Sequence, residues 1–242
     1  VVGREKFGAD ERPSDALAVL AVRSPYWHAR FTFGDLDAFV AAHSGIVAVF
    51  TARDIPGRNR FGVIPPFADQ PALAETVALF RGEAVALVAG ERAAIEELDL
   101  ADFPVAWEEL PHALTVPHAR SGFARLHEGR EGNVLTQGTV RRGDPDAALA
   151  SAAATVSGML ETAYVEHAYI EPEAGYAFMD GDTLVIKACT QSPVMDRDDT
   201  AAILALPAEK VRIVPTATGG GFGSKLDLSV QPLIGLVALK TG

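Results

Sequence analysis

Two rhythms run through the apolar positions of this chain. Short unbroken apolar runs bounded by Pro, Gly or charged residues predict strands, and runs with three- and four-residue spacing predict helices. Residues 16–22 are the first strand, ended by Pro25. Phe31 and Phe33 mark a second. Asp35 is placed to cap a short helix over 36–42, Gly45 closes it, and 46–50 is the next strand. A Pro- and Gly-rich loop follows over 55–71, kept from looking disordered by Phe61, Pro65, Pro66 and Phe67. Residues 77–80 and 84–89 read as two strands around a tight turn, 91–100 as a helix rich in Ala and Glu, and 103–107 as a returning strand. Residues 1–112 therefore read as a mixed α+β domain with its own core.

Residues 113–135 read as a connector, carrying Pro117, Gly122, Gly129 and Gly132. An extended piece is expected over 134–141, a helix over 144–153 started by Gly143-Asp144-Pro145, and a strand over 155–164. Residues 174–179 and 183–188 form a hairpin around Asp180-Gly181, the strongest turn signal in the chain. A helix over 200–206 ends at Pro207. A β-branched strand over 211–214 and a helix over 226–239, apolar at Leu226, Val230, Leu233, Ile234, Val237 and Ala238, complete the pattern. Between them lies Thr216-Ala-Thr-Gly-Gly-Gly-Phe-Gly-Ser-Lys225.

Composition narrows the function classes. The 242 residues are 48% hydrophobic and 22% charged, enough for one large or two modest globular domains. A net charge of −11 makes nucleic acid and anionic membrane poor partners. A single cysteine, Cys189, excludes an internal disulfide framework and any all-cysteine metal or iron–sulfur site, and suggests a cytoplasmic location. No apolar run reaches membrane-spanning length. The start has neither an initiator Met nor a signal-peptide core, and the last helix stops where a cap would lead onward, so a fragment or one piece of a larger assembly is expected.

Candidate chemistry concentrates in three places. Gly219, Gly220, Gly221 and Gly223 strip side chain from around Phe222, at a chain-entropy cost that implies close approach to the backbone. Strand, glycine loop and helix in that order aim free N–H groups at an anion or polar cofactor. The alternative is a flexible linker, which would favour Ser over Phe. The loop matches neither the Walker A pattern nor a full dinucleotide fingerprint. Glu166-His-Ala-Tyr-Ile-Glu-Pro-Glu173 gathers three carboxylates and an imidazole. Strand alternation would put Glu166 and His167 on opposite faces, which favours carboxylates bonding loop amides over metal ligation. In Thr190-Gln-Ser-Pro193, Gln191 either presents an amide to a cofactor edge or satisfies a bend. His112, His118 and His127, with His28 far upstream, lack metal-ligand spacing.

Taken together these residues resemble the xanthine dehydrogenase and aldehyde oxidase family. Val211-Arg-Ile-Val with Gly219-Gly-Gly-Phe-Gly-Ser-Lys225 is similar to its molybdopterin-contacting loop, and Glu166–Glu173 and Thr190–Pro193 to its first molybdenum-domain motifs. Gly3-Arg-Glu-Lys-Phe7 with Asp10, Val22-Arg-Ser-Pro25 with His28-Ala-Arg30, Gly45–Val49 with Asp54-Ile-Pro-Gly57, and Gly82–Val88 are similar to its α/β hammerhead domain. The resemblance implies an α+β architecture: a hammerhead domain over 1–112, the connector over 113–135, and a partial mixed α/β molybdopterin-binding domain over 136–242. It implies molybdenum hydroxylation with water as oxygen source, and electrons leaving through the pterin to iron–sulfur clusters and FAD on partner subunits or domains. Gly220, Gly221, Phe222 and Gly223 would lie at the cofactor. Val165 would too, where xanthine dehydrogenases carry a Gln whose amide donates to an oxo ligand. Valine cannot donate, which points from a xanthine-type purine towards another heterocycle, an aldehyde or a CoA thioester. Ser224 replaces a usual glycine. The family's glutamate base belongs to a second molybdenum-binding half. No catalytic residue or metal ligand is therefore assigned here, and the chain alone is expected to hold no stable cofactor and turn over no substrate. Expected partners are that second half, an iron–sulfur subunit, a FAD subunit and a small-molecule substrate, with a second copy of the chain as a further expectation. The rival expectation is a non-catalytic assembly or binding module on the same fold.

Overall fold

The computed structural model of the protein describes residues 3–127 and 129–242, apart from the side chain of Glu131. In chain order its main elements are β1 (Ala18–Arg23), β2 (Ala29–Phe33), α1 (Leu36–Ala42), β3 (Ile46–Thr51), β4 (Val77–Ala78), β5 (Ala84–Gly90), α2 (Arg92–Glu97), β6 (Val105–Glu109), α3 (Val116–Arg120), α4 (Pro145–Ser151), β7 (Gly175–Asp180), β8 (Thr183–Ala188), α5 (Pro193–Ile203), β9 (Val211–Pro215) and α6 (Gln231–Thr241). The described chain divides into two units, one running to His112 and resuming over Ala168–Gly242, the other Ala113–His167.

The larger unit holds three three-stranded sheets, ordered β1-β5-β3, β4-β2-β6 and β7-β8-β9. β5 is the central strand between β1 and β3, antiparallel to both, and all seven of its residues are buried because it contributes to two core clusters, Leu87 and Ala89 to one and Val85 and Val88 to the other. α1 forms where its pattern places it, with Asp35 accepting the Ala38 N–H at the N-cap. The third sheet is mixed. β7 and β8 make an antiparallel hairpin, and β8 and β9 run parallel with α5 as the crossover. Leu184, Ile186, Leu204 and Leu236 of this part share one buried cluster with Phe50, Leu73 and Leu87. A second cluster, built on Val22, Phe31, Phe39, Val85 and Phe103, fills the first two sheets.

Several expectations shift. Residues 77–80 and 84–89 are not a hairpin pair: β4 joins β2, while β5 lies in another sheet. Buried Glu83 is the reason, since its Oε2 occupies the Leu79 N–H at 2.5 Å and its carbonyl accepts from Ser24. Burial pushes the Glu83 carboxyl above its usual range. The hairpin turn is centred on Gly181-Asp182, one residue later than expected, because Asp180 and Thr183 pair across it and Gly181 takes the positive φ of 61°. The predicted helix over 200–206 begins earlier, at Pro193, a proline being well suited to the first turn. α6 starts only at Gln231. Residues 226–230 are held out of it, with the Ser229 N–H donating to Gln231 Oε1.

In the smaller unit α4 is capped by Asp144 as expected. The strand predicted over 155–164 does not form. A strand needs a pairing neighbour, and among the described residues none is offered to this segment, whose Val156, Met159, Leu160 and Tyr164 are exposed.

A buried polar group joins α5 to α6. Asp196, 1% exposed, accepts from Gln231 Nε2 at 3.1 Å, and its other oxygen has no partner among the described residues. Burial pushes its carboxyl up to about 6, with Asp199 and Asp227 adding to the shift and Thr190 opposing it. A carboxyl raised in the folded state binds its proton more tightly there than when unfolded. Its contribution is therefore intact below the unfolded value near 4 and is lost as pH rises through about 6. Asp196→Asn, which keeps the acceptor for Gln231, is expected to match the parent near pH 4. At pH 7.5 it should be the more stable by up to about 3 kcal/mol in denaturant titrations. A variant no more stable than the parent at pH 7.5 overturns this account.

Candidate functional site

The third sheet brings two distant segments together. β8 and β9 are parallel neighbours, with Ala188 opposite Pro215. The chain therefore leaves both strands at the same, carboxyl-terminal edge, the usual ligand-binding edge of a parallel sheet. Cys189, Thr190 and Gln191 emerge from β8, and the segment Thr216–Lys225 from β9. Gln191 and Lys225 lock them together: the Gln191 N–H donates to the Lys225 carbonyl at 3.1 Å, and the Lys225 N–H to Gln191 Oε1 at 3.3 Å. The same Oε1 accepts the Gly223 N–H at 2.8 Å.

The other shoulder is held by Glu171. Its Oε1 accepts from the Thr216 hydroxyl at 3.0 Å, and its Oε2 from the Gly219 N–H at 3.1 Å and from Lys225 Nζ at 3.0 Å. Lys225 Nζ also donates to the Glu171 carbonyl at 2.7 Å and sits 4.1 Å from the centre of the Tyr169 ring. Both charged side chains are 2% exposed. The Ile170 N–H donates to the Gly219 carbonyl, and the Ser224 N–H and hydroxyl to the Gly221 carbonyl.

These clamps account for the glycines. A Cβ on Gly219 would stand 2.6 Å from the Glu171 Cβ and 2.8 Å from the Phe7 ring, and one on Gly221 would stand 2.5 Å from Gln191 Oε1. Gly220 and Gly223 have φ of 109° and 98°. Phe222 between them takes φ 50°, rare for an aromatic residue, and is 72% exposed. Among the described residues, the N–H groups of Gly220, Gly221 and Phe222 have no acceptor. The tightly held loop thus carries three consecutive N–H groups without an acceptor, the middle one on buried Gly221 and the last on exposed Phe222, and the one lysine of the segment is neutralised by its buried partner. Such a donor set suits an oxo or other acceptor-rich group and not a cation. A molybdopterin cofactor fits it.

Gly220, Gly221, Phe222 and Gly223 therefore stand with Gln191, Tyr169 and Glu171. Val165 belongs to the smaller unit, in an irregular stretch, 83% exposed. Glu166 and His167 lie there too. No strand sets them on opposite faces, and His167 Nδ1 is 3.9 Å from Glu166 Oε1. Among the described residues no cluster of His, Cys, Asp or Glu is arranged to hold a metal ion. No helix among them is long and apolar enough to cross a membrane. The sequence reading missed the Glu171–Lys225 pair, whose members lie far apart in the chain. The signal was Lys225 closing a glycine run otherwise free of charge. Cys189, buried beside this pair, has its thiol raised by burial and takes no part in the loop.

Known proteins align with this arrangement. The profile of the aldehyde oxidase and xanthine dehydrogenase a/b hammerhead domain matches residues 2–111, and that of the molybdopterin cofactor-binding domain matches residues 126–242. The chain is 37% identical to the nicotinate dehydrogenase large molybdopterin subunit of Eubacterium barkeri over 96% of its own length and 54% of the relative's. It is 34% identical to a probable xanthine dehydrogenase subunit of Bacillus subtilis over its whole length and 32% of the relative's. The aldehyde oxidoreductase of Desulfovibrio gigas superposes on 99% of the chain with a TM-score of 0.86 at 27% identity, using 28% of its own length. The chain thus spans about half or less of these relatives.

Proposed function

Because the chain belongs to the aldehyde oxidase and xanthine dehydrogenase family, we propose that it forms the first part of the cofactor site of a molybdenum hydroxylase acting on a heterocycle or an aldehyde. The observation that carries this reading is the apex of Gly220, Gly221 and Phe222, with three free N–H groups on a loop clamped from both sides by Glu171 and Gln191. The names of the nicotinate dehydrogenase and the aldehyde oxidoreductase support the substrate classes. The reading takes residues 1–112 as the hammerhead domain, 113–135 as the connector and 136–242 as the start of the molybdopterin-binding domain; the profiles over 2–111 and 126–242 support the two domains, the second beginning within the connector.

When bound, the cofactor supplies the two-electron oxidation that places oxygen from water on a substrate carbon. What this chain supplies is orientation. The N–H groups of Gly220, Gly221 and Phe222 donate to acceptor atoms on the cofactor, and Gly223 keeps side-chain atoms out of its approach. A dipolar donor set of this kind stabilises negative charge without a buried cation of its own. The exposed Phe222 ring offers an apolar face beside those donors. The side chain of Val165 has no hydrogen bond to give. We assign no general base to this chain. The family's base would come from a second molybdenum-binding half and the electrons would pass to iron–sulfur and FAD partners, so residues 1–242 alone are expected neither to retain cofactor nor to turn over.

Metal and pterin analysis of the purified complete protein tests this. Close to one molybdenum and one pterin per polypeptide is expected. A protein matured in a cofactor-producing host that carries neither would instead be a binding or assembly module.

A further inference from the structure

We propose that residues 155–165 are an interface strand that pairs with a β-strand of the second molybdenum-binding half, an inference resting on the reading above that such a half completes the site. The segment runs between the end of α4 and the clamp at Tyr169–Glu171, and every residue from 151 to 168 is exposed. Val156, Met159, Leu160 and Tyr164 are each more than nine-tenths exposed. Bare apolar surface of this extent, on a sequence rich in strand formers, marks an interaction site. Extended, the segment sets Val156, Leu160 and Tyr164 on one face, with only Gly158 and Thr162 between them, and Met159 and Val165 on the other. Open sheet edges are guarded by lysines, prolines or inward-pointing charges. Residues 152–165 hold no lysine, arginine or proline and a single carboxylate, Glu161. That is the composition of a strand with neighbours, not of a solvent-facing edge or a linker.

The place of the segment in the chain says what the neighbour is. It is not a tether between domains, because the molybdopterin cofactor-binding profile over 126–242 includes it. The smaller unit, Ala113–His167, contributes the short helices α3 and α4 and no strand among its described residues. A few residues beyond Val165 the chain reaches Tyr169, whose ring meets Lys225 Nζ, and Glu171, which holds the Gly219 N–H. A second half that completes the site at Gly220–Phe222 comes to this same end of the segment. A second copy of the chain, or a subunit docked elsewhere, has no such reason to reach it. The relatives have the polypeptide to provide such a half, since the chain covers 54% of the Eubacterium barkeri subunit and 32% of the Bacillus subtilis one. Strand addition would give the segment's N–H and C=O groups their partners and cover its apolar faces in one step.

Amide hydrogen exchange of the complete protein, matured with and without molybdenum cofactor, tests the pairing. In both preparations exchange over 155–165 is expected to be slower than the free-peptide rate by roughly a hundredfold or more. A photo-reactive benzoylphenylalanine in place of Ser157 then identifies the neighbour by mass spectrometry, and its cross-links are expected in the second molybdenum-binding half. Leu160→Asp, which sets a charge in the apolar face, is expected to bring exchange of the segment to within about tenfold of the free-peptide rate. If that variant does not fold, the exchange and cross-links of the otherwise unaltered protein still decide. Free-peptide exchange over 155–165 in the complete protein overturns the inference. So do cross-links confined to a second copy, or to an iron–sulfur or FAD subunit. A protein that lacks molybdenum and pterin, yet shows the segment protected and cross-linked to the second half, overturns the cofactor reading and leaves the pairing standing. A complete protein with no second half overturns both.

Discussion

Replacing Lys225 with methionine is expected to lower stability by about 3–5 kcal/mol, the usual result of leaving one partner of a buried ion pair uncompensated. Methionine keeps most of the length and apolar stem but removes the ammonium. Glu171, 2% exposed, would then keep only the Thr216 hydroxyl and the Gly219 N–H for its two oxygens. Its carbonyl would lose the 2.7 Å donor, and the Tyr169 ring its cation. For a chain of this size such a loss lowers the melting temperature by roughly 6–20 °C. Adding Glu171→Gln to Lys225→Met should restore part of it, because the unpaired charge goes and the remaining partners can still be bonded. The double variant is therefore expected to lose less than the two single losses added together. A cost below about 1 kcal/mol for Lys225→Met in denaturant titrations would mean that the pair does not brace the loop.

The pair also marks the limit of what the chain reveals when read in order. Local signals transferred well. Asp35 capping α1, Asp144 capping α4 and the β7–β8 hairpin each depend on residues within a few positions of one another, and each appears in the fold within a residue of its expected place. The glycine run announced a loop with close backbone approach, and the glycines at 219 and 221 do meet Glu171 and Gln191 at distances no side chain would tolerate. What did not transfer depends on partners remote in sequence. Whether residues 77–80 pair with 84–89 or with β2 turns on where Glu83 is buried, and periodicity carries no trace of that. Apolar spacing from Leu226 onward is compatible with a helix, yet the Ser229 N–H is taken by Gln231 Oε1 and the helix begins only at Gln231. Residues 155–164 have a strand's composition and lack a strand's neighbour. Glu171 lies 48 residues from the Gly219 N–H it accepts, so the clamp exists only once β8 and β9 are adjacent.

A valine at Gly221 is expected to cut molybdenum and pterin content at least tenfold in the complete protein, and the geometry says by which route. The new Cβ would not project into open space towards a ligand. It would stand 2.5 Å from Gln191 Oε1 and 2.8 Å from Gln191 Cγ, well inside contact distance. A free surface glutamine would swing aside at little cost, but this one is tied to the Gly223 and Lys225 N–H groups and through its own N–H to the Lys225 carbonyl. Relieving the clash therefore opens the clamp, and the apex loses its fixed shape before any ligand arrives. Gly223 gives the contrasting case. A Cβ there meets nothing within 4 Å, so Gly223→Ala leaves Gln191 in place and adds only the strain of φ 98°, roughly 1–2 kcal/mol. If pre-shaping of the loop governs retention, Gly221→Val loses cofactor far more completely than Gly223→Ala, whose loss tracks only its milder strain. If plain bulk near the ligand governs it, Gly223→Ala is the more damaging, because its methyl enters the open side. Molybdenum content measured for the two variants side by side decides between these, and near-parental content in Gly221→Val would remove the glycine loop from the cofactor site altogether.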